Sequence, residues 1–187
     1  MREAIPSISH INFPDFMTLE HLLNSMPDYA KDIKINLKNV LDSERSRLSL
    51  KQIAIVSLAC ALATKHKDII SAIEANAKLV LDEKEINAAK GSAVIMGMNN
   101  IYYRFTHLAS NKSYEKMPVG LRMQIIANHG IEKLDFELAC LAVSSINGCG
   151  MCIDSHESVL KNEGFDEGKI QDAIKIASVI NATSFAL

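Results

Sequence analysis

The chain has 187 residues, of which 48% are apolar, and its formal net charge at pH 7 is −2. This length and apolar content are enough for one domain with its own hydrophobic core. The small negative charge excludes the basic surface that nucleic-acid binding requires and a polybasic attachment to anionic membranes. No apolar run reaches the roughly 18 residues of a membrane-spanning helix, so the expected location is the cytoplasm, where thiols stay reduced.

Apolar residues recur at spacings of three and four, and Pro and Gly are scarce, with 4 and 8 residues. This pattern predicts an all-α protein. Residues that favour helix starts precede most of the periodic segments: Pro27, Ser49 with Gln52, Asp82 with Glu85, Asp135 and Asp166. The predicted helices cover residues 19–25, 27–41, 50–64, 67–79, 83–108, 135–145, 149 to about 164, and 166 to about 186.

The second half of the chain repeats the order of predicted helices found in the first half. Each half has a helix, a short helix, an Asp-Glu cap and a long helix, and an offset of about 85 residues aligns Gln52 with Glu137. We therefore predict a duplication whose halves pack around a pseudo-twofold axis. Only the later copy contains the cysteine pair, because Thr64 and Lys67 occupy the equivalent positions in the earlier one.

Cys149 and Cys152 lie in the segment SSINGCGMCIDSHE, where a new helix is predicted to begin. Side chains three residues apart on a helix share a face with Cβ atoms about 5–6 Å apart, and a tightened first turn closes the gap to the ~3.8 Å of a disulfide. The free amides and the dipole of the first turn favour the thiolate. Structural zinc needs four ligands and there is no second pair, so thiol–disulfide exchange is favoured over zinc binding.

Two further side chains have the spacing to assist these cysteines. His156 follows Cys152 by one helical turn, so its imidazole can take the proton of that thiol directly or through a water molecule. Glu137 comes from the preceding predicted helix, and a carboxylate there would orient the imidazole and raise its basicity.

Other reactive residues receive a structural interpretation. Cys60 and Cys140 lie among apolar residues in the middle of helices and are predicted to be core residues. The run MGMNNIYY, residues 96–103, is interpreted as packing or as an oligomer surface. The spacing identifies no partner for the remaining histidines, which are His10, His21, His66, His107 and His129.

The pattern E-x11-C-x2-C-x3-H, formed by Glu137, Cys149, Cys152 and His156, closely resembles that of the AhpD alkyl hydroperoxide reductases of the carboxymuconolactone decarboxylase-like superfamily. The resemblance extends beyond the motif to four other segments. These segments are MPDYAKDIKINL, AVIMGMNNIYYR, PVGLRMQIIANHGI and FELACLAVSSINGC.

This resemblance implies a role for each residue of the motif. Cys152 would be the peroxidatic cysteine, which becomes a sulfenic acid or joins a protein partner in a mixed disulfide. Cys149 would donate a proton and then resolve that species, which leaves a Cys149–Cys152 disulfide. Glu137 and His156 would relay the proton away from Cys152.

The resemblance also implies partners, an assembly and a fold. The electron donor would be a dihydrolipoyl group on a 2-oxoacid dehydrogenase component, and the oxidised partner would be the peroxiredoxin AhpC. Organic hydroperoxides would be the substrates, with no bound cofactor or metal. The expected fold is the AhpD-like helical fold, and the expected assembly is a homotrimer.

The resemblance covers residues 19–186 and leaves residues 1–16 outside it. Met17 stands where chains of this family begin, so we expect a poorly ordered leader over 1–16. Residues 17–187 are expected to form a single domain, with halves of about 17–110 and 118–187.

One position departs from the family pattern. A histidine can precede the second cysteine in that family and join the proton relay, whereas Met151 stands there in this chain. This departure predicts weak direct peroxidase activity and a larger share for reduction of the peroxiredoxin.

Two other functions remain open from the sequence. One is a decarboxylase or lactone-processing enzyme of the same superfamily, because a shared fold does not dictate function and such members do not need the cysteine pair. The other is a redox- or zinc-responsive interaction module, in which closing the disulfide changes a binding surface.

Overall fold

The computed structural model of the protein describes residues 18–187, and this range contains eight α-helices, three short 3-10 turns and no β-strand. The predicted all-α class is confirmed. The leader predicted for residues 1–16 lies outside the described residues. The helices are α1 (Leu19–Ser25), α2 (Lys31–Val40), α3 (Leu50–Thr64), α4 (Lys67–Ala77), α5 (Glu83–Leu108), α6 (Lys133–Ile146), α7 (Gly150–Asn162) and α8 (Glu167–Thr183).

The predicted capping boxes form at the starts of α3 and α5. The Ser49 hydroxyl accepts from the Gln52 amide at 3.2 Å, and the Gln52 side chain accepts from the Ser49 amide at 3.1 Å. Asp82 and Glu85 make the same reciprocal pair at 2.9 and 3.0 Å. Asp166 caps α8 as predicted. These contacts satisfy amides that have no partner within the helix.

Two predicted helix starts are wrong. Pro27 has extended backbone and precedes a 3-10 turn over Asp28–Ala30, so α2 begins only at Lys31. Helix α6 begins at Lys133, because the Glu132 carbonyl already accepts from the Phe136 amide at 3.2 Å. Asp135 therefore lies inside the first turn, where its carboxylate accepts a hydrogen bond from the Gln52 side chain at 2.8 Å and joins α6 to α3.

The ends of α1, α3 and α5 are as predicted, and those of α2, α4, α6, α7 and α8 differ from the prediction by one to three residues. After some of these helices the chain continues through isolated turns. The Leu79 amide, for example, bonds to the Asn76 carbonyl at 3.2 Å after α4 has ended. The Ala186 amide bonds in the same way to the Thr183 carbonyl at 3.1 Å after α8.

Helices α3 and α6 form the centre of the core. Each buries nine consecutive residues, 53–61 in α3 and 136–144 in α6. A helix that is apolar all round must be covered on every side. Accordingly α3 packs against α4, α5, α6 and α8, and α6 packs against α3, α5, α7 and α8. The predicted duplication is consistent with these two central helices and stays a prediction.

The position of α7 determines where the cysteine pair lies. Helix α7 packs against α6 and α5, so its inner face meets two helices that are themselves part of the core. Among the described residues, none of the helices is both long and apolar enough to cross a lipid bilayer.

Candidate active site

The link between α6 and α7 positions the first cysteine. Helix α6 ends in a Schellman motif: the Gly148 amide bonds to the Ser145 carbonyl at 3.2 Å, and the Cys149 amide bonds to the Ser144 carbonyl at 3.1 Å. Gly148 has φ +66°, a conformation that costs little only for glycine. The predicted stop at Asn147 and Gly148 is confirmed, and Cys149 becomes the N-cap residue of α7.

Cys149 and Cys152 are joined by a disulfide, with their Cα atoms 5.3 Å apart. Cys149 is 0% exposed and Cys152 is 6% exposed, so the Cys152 side is the part of the bond that solvent reaches. Met151, between them, is 36% exposed. The pair thus lies at the edge of the core, in the first turn of α7, where the amides of a helix start have no partner within the helix.

His156 on α7 and Glu137 on α6 form a buried pair. The Nδ1 atom of His156 lies 2.6 Å from Oε2 of Glu137, and each residue is only 8% exposed. Cys152 and His156 are four residues apart on α7, which places them on the same face of the helix. A carboxylate bound to Nδ1 fixes the ring orientation and leaves Nε2 as the nitrogen available for other contacts.

The inner side of the imidazole contacts α5. Its Nε2 atom lies 3.2 Å from Sδ of Met96. The same sulfur faces the Ser144 hydroxyl at 3.4 Å and the Asn100 side-chain amide at 3.7 Å. The Asn100 amide also donates to the Ser144 hydroxyl at 2.9 Å, so three polar groups surround one buried thioether.

The polar network continues from Asn100 to the α6–α7 link. The Asn147 side chain donates to the side-chain oxygen of Asn100 at 2.9 Å, and the guanidinium of Arg104 donates to the Asn147 backbone carbonyl. Helix α5 is therefore bonded to the residues that immediately precede Cys149. These contacts hold the disulfide helix against the core on two sides.

Comparison with known proteins relates most of the chain to one family. Residues 113–186 match the carboxymuconolactone decarboxylase family. The chain is 47% identical over 171 residues to alkyl hydroperoxide reductase AhpD of Solibacter usitatus, an alignment that covers 91% of this chain and 96% of that protein. It is 51% identical over 164 residues to the AhpD of Coxiella burnetii, with 87% and 93% covered, and 46% identical over 171 residues to that of Brucella anthropi, with 91% and 97% covered.

The chain belongs to the AhpD family of alkyl hydroperoxide reductases. The matches extend across both halves of the chain, and the family match at residues 113–186 includes all four residues of the motif. The resemblance drawn from Glu137, Cys149, Cys152 and His156 is confirmed at the level of the family.

In this member of the AhpD family, the site contains residues beyond the four of the E-x11-C-x2-C-x3-H motif. Met96, Ser144 and Asn100 contact the imidazole or each other, yet the run MGMNNIYY was interpreted as packing or an oligomer surface. One signal in the sequence could have identified them: two adjacent asparagines, Asn99 and Asn100, lie within a helix and both are buried. Buried amides need partners, so such a pair points to a polar network.

Cys60 and Cys140 are free thiols buried in the core, as predicted. Burial raises the pKa of the Cys60 thiol far above its ordinary range. Burial, together with the nearby Glu137 carboxylate, also raises the pKa of Cys140 well above its ordinary value. Both thiols therefore stay protonated and unreactive, because the thiolate is the nucleophile.

The remaining histidines within residues 18–187 lie outside the network. His129 stacks on Phe136 with ring centroids 4.4 Å apart, a packing contact. His66 is the N-cap residue of α4, and its buried Nδ1 has no hydrogen-bond partner. In the described part of the chain, no three His, Cys, Asp or Glu side chains cluster closely enough to bind a metal ion.

Proposed function

We propose that this chain is a thiol-dependent alkyl hydroperoxide reductase that uses Cys149 and Cys152 as a reversible dithiol. The observation that carries the proposal is the disulfide at the start of α7, on the same helix as His156 and its buried Glu137 partner. Membership of the AhpD family supports the same reaction, because the relatives named above are alkyl hydroperoxide reductases.

The oxidative half-reaction begins with the Cys152 thiolate, which the helix dipole and the free amides of the first turn favour. His156 takes the thiol proton, and Glu137 stabilises the resulting imidazolium. The thiolate attacks the terminal oxygen of the hydroperoxide and the O–O bond breaks. Cys152 becomes a sulfenic acid, and the alkoxide leaves as an alcohol with the proton of Cys149.

The Cys149 thiolate then resolves the sulfenic acid. It attacks the Cys152 sulfur, the disulfide forms, and the displaced hydroxide takes a proton from solvent to give water, which leaves His156 protonated. One hydroperoxide and two thiols are thereby converted to one alcohol, one water molecule and one disulfide. The 5.3 Å between the two Cα atoms is within the range that a disulfide spans.

A dihydrolipoyl group, carried by a 2-oxoacid dehydrogenase component, reduces the disulfide in this proposal. One thiolate of the donor attacks the more exposed sulfur, Cys152, and Cys149 leaves as a thiolate. The second lipoyl thiol then closes the lipoyl disulfide and releases Cys152. Both cysteines are protonated, and the donor is left as its cyclic disulfide.

The peroxiredoxin AhpC is the protein substrate in this proposal. The Cys152 thiolate attacks the disulfide of the oxidised peroxiredoxin, and Cys149 resolves the mixed disulfide. Met151 supplies no proton-transfer group between the cysteines, so this exchange, which needs only thiol chemistry, is proposed as the larger share of the activity. The partly exposed thioether of Met151 instead offers a small apolar contact beside the disulfide.

The proposed assembly is a homotrimer, and the outer face of α5 offers a surface for it. Val94, Ile101, Phe105 and Leu108 are exposed at helical spacings of seven, four and three, which places them on one side of α5. A continuous apolar face of this kind is typical of an interface. Sedimentation of the purified protein as a species of 20.6 kDa would contradict this assembly.

Loss of either site cysteine tests the proposed reaction. We expect Cys149→Ser and Cys152→Ser to abolish dihydrolipoamide-dependent peroxide consumption and reduction of an oxidised peroxiredoxin, because each leaves no dithiol to cycle. Cys60→Ser and Cys140→Ser serve as matched controls and should retain activity. Turnover that survives in Cys152→Ser would overturn the proposal.

A further inference from the structure

The buried thioether of Met96 contacts the one imidazole nitrogen that Glu137 leaves free. Its Sδ atom lies 3.2 Å from Nε2 of His156, and Met96 itself is 1% exposed. A thioether sulfur can only accept a hydrogen bond. An unprotonated Nε2 at this distance would set two lone pairs against each other, whereas a protonated Nε2 would have an acceptor.

We propose that Met96 is a positioning residue that holds the Nε2 proton of His156 while the Cys149–Cys152 disulfide is closed. The ring then donates from both nitrogens, from Nδ1 to Glu137 and from Nε2 to Met96. The imidazolium and the carboxylate compensate each other's charge in a site where an unpaired charge would be costly. This inference rests on the proposed function, because it assigns the ring a role in that reaction.

The groups around the ring fit a protonated imidazole. From α6, the Glu137 carboxylate supplies the charge in contact with it, and the Cys140 thiol near that carboxylate is kept neutral by burial. From α5, Met96 provides the sulfur. The charged side chain of Arg104, also on α5, donates to the Asn147 carbonyl and not to the ring. On α7 itself, the cysteines are uncharged in the disulfide.

The stored proton has a use in the reductive half-reaction. When the second lipoyl thiol attacks the lipoyl sulfur of the mixed disulfide, the Cys152–lipoyl bond breaks and Cys152 leaves as a thiolate. His156, one turn away, transfers its Nε2 proton to that thiolate. The lipoyl disulfide closes in the same step, and the ring is left neutral, so it can take the Cys152 proton in the next oxidation.

The substitution Met96→Leu removes the acceptor and nearly preserves the side-chain volume. In the oxidised protein, we expect the pH midpoint at which His156 loses its Nε2 proton to fall by about one unit in this variant, as measured by ¹⁵N NMR of the ring. Met98→Leu makes the same change on the same helix at a partly buried position outside the network, and its midpoint should equal that of the wild type.

The pH dependence of a rate distinguishes loss of the hydrogen bond from a change in packing alone. The rate at which dihydrolipoamide reduces the oxidised protein is compared across pH. We expect the ratio of the Met96→Leu rate to the wild-type rate to be close to one at low pH and to fall by up to about tenfold above the variant's midpoint. A ratio that does not change with pH would overturn the proposal.

The wild type supplies a test that does not depend on the variant folding. Its oxidised form should show a slowly exchanging Nε2 proton with a nuclear Overhauser contact to the Met96 methyl group. Absence of that proton, or equal midpoints for Met96→Leu and Met98→Leu, would overturn the proposal and leave the proposed function standing. Conversely, a wild-type disulfide that dihydrolipoamide does not reduce would overturn the proposed function, and the NMR titration would still decide the Met96 contact.

Discussion

Glu137 and Asp172 are the buried carboxylic acids within residues 18–187, and each is bound to a basic side chain. A buried carboxylate without a partner would cost several kcal/mol, so the location of Glu137 is explained by what it binds. Glu137 lies in the run of nine buried residues in α6, and its carboxylate contacts the His156 imidazole. Its position makes it part of the site rather than a surface charge favoured by the helix dipole.

The substitution Glu137→Gln tests this role at a single atom. The amide retains the shape of the side chain and an oxygen that can accept from Nδ1, but it lacks the charge that stabilises the imidazolium. We expect dithiol oxidation by hydroperoxide to slow about a hundredfold near pH 7. Raising the pH should recover part of the rate, because Cys152 then ionises without help.

Initial rates between pH 6 and 9 provide the measurement. Glu157→Gln removes an exposed carboxylate from α7 and serves as the matched control. A Glu137→Gln protein with a wild-type rate at pH 7 would rule out the carboxylate as part of the relay.

Individual residues of the site differ in how far the sequence could predict them. Cys149, Cys152 and His156 lie on one helix, so their spacing alone placed them together. Glu137 was identified by its position in the motif on the preceding helix. Met96 was missed, because its contact with His156 spans 60 positions and depends on how α5 packs against α7.

At the scale of elements, the turn between α6 and α7 is the feature on which the site depends. The last turn of α6 and the first turn of α7 are separated by three residues, and Gly148 adopts φ +66° between them. The same kind of turn ends α7, where Gly164 has φ +73° and the Phe165 amide bonds to the Leu160 carbonyl at 3.0 Å.

These two glycines offer a matched pair of substitutions. A methyl group at either position meets no atom within 4 Å, so the cost of Gly148→Ala and of Gly164→Ala is conformational. We expect each to lower the free energy of unfolding by about 1 kcal/mol, measured by urea denaturation. Only Gly148→Ala should also slow turnover, because it shifts the backbone that carries Cys149. Equal turnover in the two variants would contradict a positioning role for the α6–α7 turn.

At the scale of the whole molecule, Asp172 joins α8 to the segment between α2 and α3. Its carboxylate on α8 accepts from the Arg47 backbone amide at 2.9 Å and from the Lys175 side chain at 2.9 Å. Burial alone disfavours the charged form, but the Arg47 amide and the Lys175 ammonium outweigh it and hold the pKa of Asp172 below its ordinary value. The contact with Arg47 spans 125 positions.

The depressed pKa of Asp172 predicts a pH-dependent stability. A carboxyl group whose pKa is lower in the folded state than in the unfolded state stabilises the fold above its unfolded pKa of about 3.9, and this contribution is lost as the pH falls. We expect Asp172→Asn to lower the free energy of unfolding at pH 7 by about 1–3 kcal/mol. The variant should also lose less stability than the wild type between pH 5 and pH 3.

Urea denaturation at pH 7, 5 and 3 measures both effects. Asp154→Asn, at an exposed position of α7, is the control and should follow the wild type. A wild-type pH dependence that Asp172→Asn leaves unchanged would show that other carboxylates carry the acid sensitivity.

The sequence by itself determined the features that depend on near neighbours along the chain. Helical periodicity, capping boxes, the stop at Asn147 and Gly148, and the shared face of Cys149, Cys152 and His156 all follow from interactions within about four residues. The start of α6 escaped prediction, because Asp135 has the chemistry of a cap but bonds to Gln52 of another helix.

Only the tertiary structure decided which groups meet the imidazole and how deeply the disulfide is buried. The contacts of His156 with Glu137 and Met96 join three different helices, and Cys149 is buried at the start of α7, a helix that packs against α5 and α6. Such contacts depend on the packing of apolar faces, which many arrangements of the same helices could satisfy. Periodicity in one chain indicates which face is buried, whereas the packed structure determines which residue lies opposite it.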